Sequence, residues 1–361
     1  MREFSSILEN WYARNGRYDL PWRKVSDPYL IWLSETILQQ TRVVQGYDYY
    51  LRFSERFPNV FSLAAAEEDE VLKLWQGLGY YSRARNLHFA AKTIAEMGAF
   101  PKDYEGVRKL KGVGDYTAAA ICSFAYNLPY AVVDGNVYRV LSRFFGIYTP
   151  IDSNEGKKEF SALANELLDK EHPGEYNSAI MDFGALQCTP KSPECSSCPF
   201  AGGCHALQNE AISELPVKSK KTAVTNRYFV YLYLENEKQV LLHRRGKGDI
   251  WQGLYEPYLL EFDQPPTDKD IVEKIKGIPF CQAATLEPIA KGVKHVLTHR
   301  RLWIDCYRIR LITLPEFEGY IAVDKERRDE FATPRVVTTL FSLLDEKEEA
   351  PLFDYDNKYQ P

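Results

Sequence analysis

Leu110-Lys111-Gly112-Val113-Gly114-Asp115-Tyr116-Thr117-Ala118, with Val132-Val133-Asp134-Gly135-Asn136-Val137 after it, is the stretch on which the reading of this chain turns. Two glycines one residue apart permit a tight turn between helices. They leave bare N–H groups at the start of the next helix, where amides and helix dipole attract a phosphate without any basic side chain. Asp134 is a carboxylate in an apolar stretch just ahead of a further helix, where it can cap that helix and remain available for chemistry. Tyr116 lies between the two features.

Upstream, Asp27-Pro28 marks a helix start, with Asp as N-cap and Pro at the first helical position. In the helix that follows, Glu35 falls four residues after Ile31 and three before Leu38, on a face where an apolar residue is expected. If that face lines a pocket, desolvation raises the carboxyl pKa and makes Glu35 a general acid. Helical patterning continues to about residue 207, with short Gly- or Pro-containing connections.

The chain has seven cysteines. Cys122, Cys281 and Cys306 stand singly and suit small core positions, whereas Cys188, Cys195, Cys198 and Cys204 form a Cys-x6-Cys-x2-Cys-x5-Cys pattern. An odd total without an export signal argues against a disulfide framework. Four thiolates complete either a tetrahedral zinc site or a [4Fe–4S] cluster, and spacing alone does not separate the two.

Beyond the cysteines, Leu215-Pro216-Val217-Lys218-Ser219-Lys220-Lys221 has no apolar period and reads as an exposed linker. After it the pattern turns strand-like, around Tyr228–Leu234, Val240–His243, Val293–Leu297 and Leu302–Ile309, with a helix near Asp268–Ile275. The expected organisation is multidomain: an all-α domain over 1–207, a linker over 208–225, an α+β domain over 226–345 and a tail over 346–361. The 361 residues carry 45 Lys+Arg against 50 Asp+Glu, a net charge of −5. That balance by itself speaks against nucleic acid, and no apolar run suits a membrane span or a signal peptide. The expected setting is cytoplasmic, with no membrane partner.

The glycine turn followed by Asp134, together with the four cysteines after a helical domain, resembles the endonuclease III superfamily of helix-hairpin-helix DNA glycosylases. Ser34-Glu35-Thr36-Ile37-Leu38-Gln39-Gln40-Thr41-Arg42, Leu20-Pro21-Trp22-Arg23 and Gly77-Leu78-Gly79-Tyr80-Tyr81-Ser82-Arg83 resemble the MutY family of adenine glycosylases within it. The resemblance spans essentially the whole helical domain and implies a [4Fe–4S] cluster on Cys188, Cys195, Cys198 and Cys204, in the loop 188–204. It implies that Glu35 protonates adenine, that Asp134 meets the oxocarbenium-like sugar, and that Tyr116 and Asn136 position these groups. Leu20, Trp22, Arg23 and Leu38 match the adenine-pocket wall. Gln40 and Tyr80 match residues that wedge into the duplex, and Arg83, Gly112 and Gly114 fall among the DNA-facing positions. Bifunctional members carry lysine where Tyr116 stands; a phenol cannot form a Schiff base, so removal of the base without strand cleavage is expected. Ser178 departs from the family's usual Gln or Glu and implies a weaker contact to the adenine edge.

Val240-Leu241-Leu242-His243-Arg244-Arg245 and Gly248–Pro257 resemble the opening strands of a Nudix (MutT-like) domain. The acidic metal-binding helix of its hydrolases is missing, since Thr267–Gly277 offers only Asp268, Asp270 and Glu273, so pyrophosphatase activity is not expected. In MutY proteins this domain reads 8-oxoguanine through a Phe-Ser-His turn, which Leu297-Thr298-His299 replaces here. The implied enzyme is a monomeric, monofunctional glycosylase acting on duplex DNA with A opposite 8-oxoguanine or G. The rival readings are an endonuclease III-like glycosylase/lyase for damaged pyrimidines, disfavoured by Tyr116, and a non-catalytic damage-binding protein, disfavoured by Glu35 with Asp134.

Overall fold

The computed structural model describes residues 2–219, 223–281, 285–316 and 318–349. The chain divides into two compact units, the described residues of Met1–Ala66 with Arg83–Lys221, and those of Glu67–Ser82 with Thr222–Pro361. No helix among the described residues is long and apolar enough to cross a membrane.

The first part of the chain forms α1 (Arg2–Asn15), α2 (Pro28–Leu38), α3 (Val43–Arg56) and α4 (Val60–Ala64). Next comes α5 (Glu68–Trp75), which belongs to the second unit. The helical unit resumes with α6 (Ser82–Met97), α7 (Tyr104–Arg108), α8 (Asp115–Tyr126), α9 (Gly135–Phe145), α10 (Asn154–Leu167), α11 (Pro173–Leu186) and α12 (His205–Gln208). One core of this unit follows from helical spacing. Val137, Val140 and Leu141 of α9 meet Tyr176, Ile180 and Phe183 of α11, with Phe4 and Leu8 of α1 and Phe160 of α10 closing it. Each fully buried side chain of this kind stabilises by roughly 1.5–3 kcal/mol.

The stretch read as exposed linker is only partly so. Leu215 is buried with Ala206 and Ala211. The Val217 carbonyl accepts the Ile151 N–H at 3.0 Å, and Ser219 donates to Asp152. Lys220 and Lys221 lie outside the described residues.

The second unit is a mixed sheet with helices on both faces. Its strands are β1 (Thr225–Glu235), β2 (Gln239–Arg244), β3 (Tyr255–Glu256), β4 (Tyr258–Phe262), β5 (Glu287–Val296), β6 (Arg300–Arg310) and β7 (Tyr320–Asp324). Helix α13 (Asp268–Lys276) precedes β5, and α14 (Arg335–Glu349) ends the unit. The order is β3-β2-β1-β6-β5, with β4 also on β1 and β7 on β2. β1 and β6 run parallel over their full length, and β5 and β6 form a hairpin. Alternation along β1 decides the two faces. Phe229, Tyr231 and Tyr233 pack with Val337, Leu340 and Phe341 of α14, while Val230, Leu232 and Leu234 pack with Ile271 and Ile275 of α13. Helix α14 continues four residues past the expected boundary at 345; the tail from 350 onward lies outside the described residues.

Candidate active site

Helix α2 starts where its cap chemistry requires. The Asp27 carboxylate accepts the N–H groups of Tyr29 and Leu30, and Pro28 needs no partner for a missing donor. From Ile31 to Ile37 the helix is buried all round, so Glu35 is carried into the interior and is only 7% exposed. Its Oε2 accepts the Tyr116 hydroxyl at 2.7 Å. Burial raises the Glu35 carboxyl pKa; the Tyr116 hydrogen bond and the Arg23 charge pull it back, and the Asp134 charge pushes it up again. Burial likewise holds the Tyr116 phenol well above its ordinary value, so it stays a neutral donor.

Tyr116 reaches Glu35 because the glycine turn sets α8 against α2. Gly112 has φ +80, and a Cβ there would lie 2.7 Å from Asn86 Cβ, so both backbone and space require glycine. Gly114 caps α8, and a Cβ on it would meet no atom within 4 Å. The first helical hydrogen bond runs from Ala118 N–H to the Gly114 carbonyl, which leaves the preceding amides to an external acceptor. The shorter helix of the hairpin, α7, has no apolar period long enough to be read from sequence.

Asp134 caps α9. Its Oδ1 accepts the N–H groups of Asn136 at 2.9 Å and Val137 at 2.8 Å, and its Oδ2 accepts Asn136 Nδ2 at 2.8 Å. Burial raises the Asp134 pKa against the pull of these hydrogen bonds and of the Arg139 charge. Its charge is felt by both Glu35 and Tyr116, so α2, α8 and α9 bring three of the expected residues into one electrostatic site, with Asn136 bonded to Asp134.

Around this centre, Leu20 and Trp22 are buried, and Trp22 meets Tyr50 edge-on at 5.3 Å. The Arg23 guanidinium donates through Nη1 to Ser178 Oγ and lies 3.5 Å from Asp182 Oδ1. Asp182 is fully buried and also pairs with Arg17 at 2.5 Å. The Ser178 hydroxyl is therefore already engaged by a protein donor. Leu38 is half-buried, and Gln40 is exposed with φ 55.

Arg83 lies differently from the expectation that it faces DNA. It is 9% exposed, and its Nη1 donates to the carbonyls of Thr36, Ile37 and Gln39 at 3.0, 2.8 and 2.5 Å. The carbonyls at the end of α2 lack helical partners, and a cation satisfies them and the helix dipole together.

Sequence reasoning missed two arginines one helical turn apart on the apolar helix α9. Arg139 donates to Asn136 Oδ1 at 2.8 Å, the Gly184 carbonyl at 2.6 Å and the Cys188 carbonyl at 2.7 Å. Arg143 donates to the carbonyls of Thr189, Pro190 and Leu215, and its Nη1 lies 3.5 Å from Cys188 Sγ. A sequence signal existed, because two arginines four residues apart among Val137, Val140 and Leu141 imply buried donors in search of acceptors. Gly184 is required by closeness: a Cβ there would sit 2.6 Å from Asn136 Cβ.

The thiols of Cys188, Cys195, Cys198 and Cys204 are all free and line one cavity of about 330 Å³ beside Arg143 and Gln187. Among the described residues, no three His, Cys, Asp or Glu side chains converge to hold a single metal ion.

In the second unit Leu297, Thr298 and His299 form the turn between β5 and β6. Leu297 N–H bonds the Arg300 carbonyl at 2.8 Å, and the His299 carbonyl accepts Thr225 N–H at 3.0 Å. Thr298 and His299 are exposed. Tyr80 has φ 48 and is 47% exposed; its hydroxyl and Thr298 Oγ1 are 2.6 Å apart.

Residues 33–169 match the HhH-GPD superfamily of base excision DNA repair proteins, and residues 230–343 match a NUDIX domain. The chain is 34% identical over 312 residues to an adenine DNA glycosylase of Buchnera aphidicola subsp. Baizongia pistaciae, covering 84% of each chain. It is 35% identical over 254 residues to that of Buchnera aphidicola subsp. Schizaphis graminum, covering 70% of this chain and 73% of the relative. Among solved structures it is similar to a thermostable thymine-DNA glycosylase, with a TM-score of 0.54 at 28% identity, over 57% of this chain and 96% of the other.

Proposed function

The chain belongs to the adenine DNA glycosylase (MutY) family, an enzyme family of base excision repair, and on that premise we propose that it releases adenine paired with 8-oxoguanine or guanine in duplex DNA. The observation that carries the mechanism is the unequal environment of two buried carboxyls. Asp134 accepts three hydrogen bonds, which favour its ionised form. The one hydrogen bond given for Glu35 comes from the neutral Tyr116 hydroxyl, and burial favours its protonated form. Two carboxyls pushed apart in this way divide into an acid and a charge stabiliser.

Adenine leaves the duplex to reach the site. Glu35 delivers its proton to a ring nitrogen as the N-glycosidic bond breaks, so the bonding pair departs with a neutral base. The Asp134 carboxylate, held by Asn136, faces the positive charge that develops on the sugar. Water then adds at the anomeric carbon and gives its proton to a carboxylate, leaving an abasic site. Tyr116 orients Glu35 and, having no amine, forms no Schiff base with the sugar. Leu20, Trp22, Arg23, Leu38 and Ser178 wall the base pocket, and the Arg23 charge moderates the acid. Gln40 and Tyr80 wedge the duplex, the amides at Gly112–Gly114 take a backbone phosphate, and Leu297-Thr298-His299 reads the opposite base. Arg83 acts indirectly, by fixing the turn that presents Gln40.

The cysteine loop fits a [4Fe–4S] cluster. A lone zinc ion needs sulfur at about 2.3 Å on four sides, whereas the four thiols surround a cavity sized for a larger inorganic core. Cys188, Cys195, Cys198 and Cys204 would ligate it, and the chemistry it supplies is structural, ordering the loop that Arg139 and Arg143 tie to α9.

The test is single-turnover excision on duplexes with A opposite 8-oxoguanine, A opposite G, and T opposite 8-oxoguanine. Wild type should release adenine alone, without strand cleavage. Release of pyrimidines, or no release, would overturn the assignment.

A further inference from the structure

Helix α5 precedes the wedge tyrosine in sequence and belongs to the unit that carries the lesion turn. It is pinned there at three points. At its start the Arg244 guanidinium meets Glu68 Oε1 at 3.0 Å and Asp69 Oδ1 at 2.7 Å. The Tyr255 hydroxyl donates to the other Asp69 oxygen at 3.0 Å, and Arg244 lies over the Tyr255 ring at 6.0 Å. In its middle Leu72 packs against Gly253, where a Cβ would stand 3.0 Å from Leu72 Cδ1 and φ is +83. At its end Gln76 Nε2 donates to Thr333 Oγ1 at 3.3 Å and Thr338 Oγ1 at 3.0 Å.

The chain leaves that helix through a turn with little freedom. Gly77, Gly79 and Tyr80 all have left-handed φ, of 94, 76 and 48. A non-glycine residue keeps such a conformation only where its surroundings over-determine it. Trp75 Nε1 bonds the Gly79 carbonyl at 3.0 Å, and the Tyr81 hydroxyl accepts Gly77 N–H at 3.2 Å. The result is an exposed tyrosine whose hydroxyl touches Thr298 of the lesion turn at 2.6 Å.

We propose that α5 and its following turn are a positioning element for lesion recognition, latched to the sheet by Arg244 and Asp69, and that this latch sets the preference for 8-oxoguanine over guanine opposite the adenine. The proposal rests on the reading of Leu297–His299 as the lesion reader. An exposed ion pair alone contributes little. Here one guanidinium serves two carboxylates, and one of these is also held by Tyr255. Its release frees the start of α5, the turn it anchors, and the Tyr80 hydroxyl on Thr298. Arg244 and Asp69 act through Tyr80 and Thr298, as positioning residues.

The test compares single-turnover adenine release on A:8-oxoguanine and A:G duplexes. In Arg244→Glu, which faces Glu68 and Asp69 with a like charge, the A:G rate should be unchanged and the preference for 8-oxoguanine should fall about tenfold, the scale of an ordinary coupling between sites. Adding Asp69→Arg should restore it. Thr298→Ala should lower the same preference, and Arg244→Glu should lower it no further in that background. An intact preference in Arg244→Glu with a reduced one in Thr298→Ala overturns the latch and leaves the lesion reading standing. An intact preference in Thr298→Ala overturns the lesion reading, and the latch with it. An equal loss on both duplexes, or no rescue by the charge swap, also overturns the latch, because it marks a general disturbance of the fold.

Discussion

Glutamine at position 35 keeps the shape of the side chain and an acceptor for Tyr116, while it removes the titrating proton and the charge. If Glu35 is the acid, single-turnover release of adenine should fall by about 10²- to 10⁴-fold, the usual contribution of a positioned general acid. Each tenfold corresponds to about 1.4 kcal/mol of barrier. DNA affinity should change little, because the carboxyl is buried beneath the pocket and not spread on the surface. The wild-type rate should decline as pH rises through the raised Glu35 pKa, whose main cause is burial; the residual activity of the variant should lack that alkaline limb.

Stability gives an independent reading with a sign fixed by the same shift. The folded-state pKa of Glu35 lies above its unfolded value, so its contribution is fully present below the unfolded value and is lost as pH rises through the folded one. Above that point the wild type carries a poorly solvated charge that glutamine lacks. Glu35→Gln should therefore melt higher than wild type at neutral and alkaline pH, by roughly 0.5–2 kcal/mol, the common gain when a functional group is traded for stability. For a unit of this size that is about 2–4 °C per kcal/mol. The gap should close below the ordinary carboxylate range. Thermal melts from acidic to alkaline pH, paired with excision rates, make the comparison. A variant that excises normally, or that melts lower than wild type at alkaline pH, would refute the argument that a buried, protonated Glu35 is the acid.

Asp134→Asn keeps a capping side chain for α9, so its melting point should stay near wild type while release of adenine falls by at least about 10²-fold; Asp134→Ala should lose the cap as well, at about 1 kcal/mol. The pair separates cap from chemistry, and an active Asp134→Asn would remove this residue from the mechanism. Gly184→Ala places a methyl carbon 2.6 Å from Asn136 Cβ, and should slow excision and lower the melting point by about 1–3 kcal/mol; unchanged kinetics would show that the Asn136–Asp134 bond has slack. Purified protein should be brown, with broad visible absorption, and should contain iron and acid-labile sulfide in equal amounts. Cys198→Ser should lose both colour and thermal stability. Colourless protein with one zinc per chain would exclude the cluster.

Local chemistry made much of this protein legible in its sequence. The start of α2 at Asp27-Pro28, the glycine turn before α8, the cysteine spacing and the alternation along β1 each depend on contacts within a few residues, and each was readable for that reason. The burial of Glu35 was foreshadowed by its place on an apolar face. Tertiary structure decided which distant groups meet. Arg83 became a clamp on the end of α2 because three carbonyls there lacked donors, a need invisible in Ser82-Arg83-Ala84. Arg139 joins Asn136 to the cysteine loop through carbonyls that α11 and the loop bring to it. Helix α5 reads as one more amphipathic helix of the first domain, yet its polar partners Arg244, Tyr255 and Thr338 lie far along the chain. The parallel pairing of β1 with β6 and the brief strands β3 and β7 likewise take their hydrogen bonds from remote neighbours. Capping and periodicity are written residue by residue, whereas the partner of a buried charge or an unpaired strand edge exists only once the chain has closed on itself.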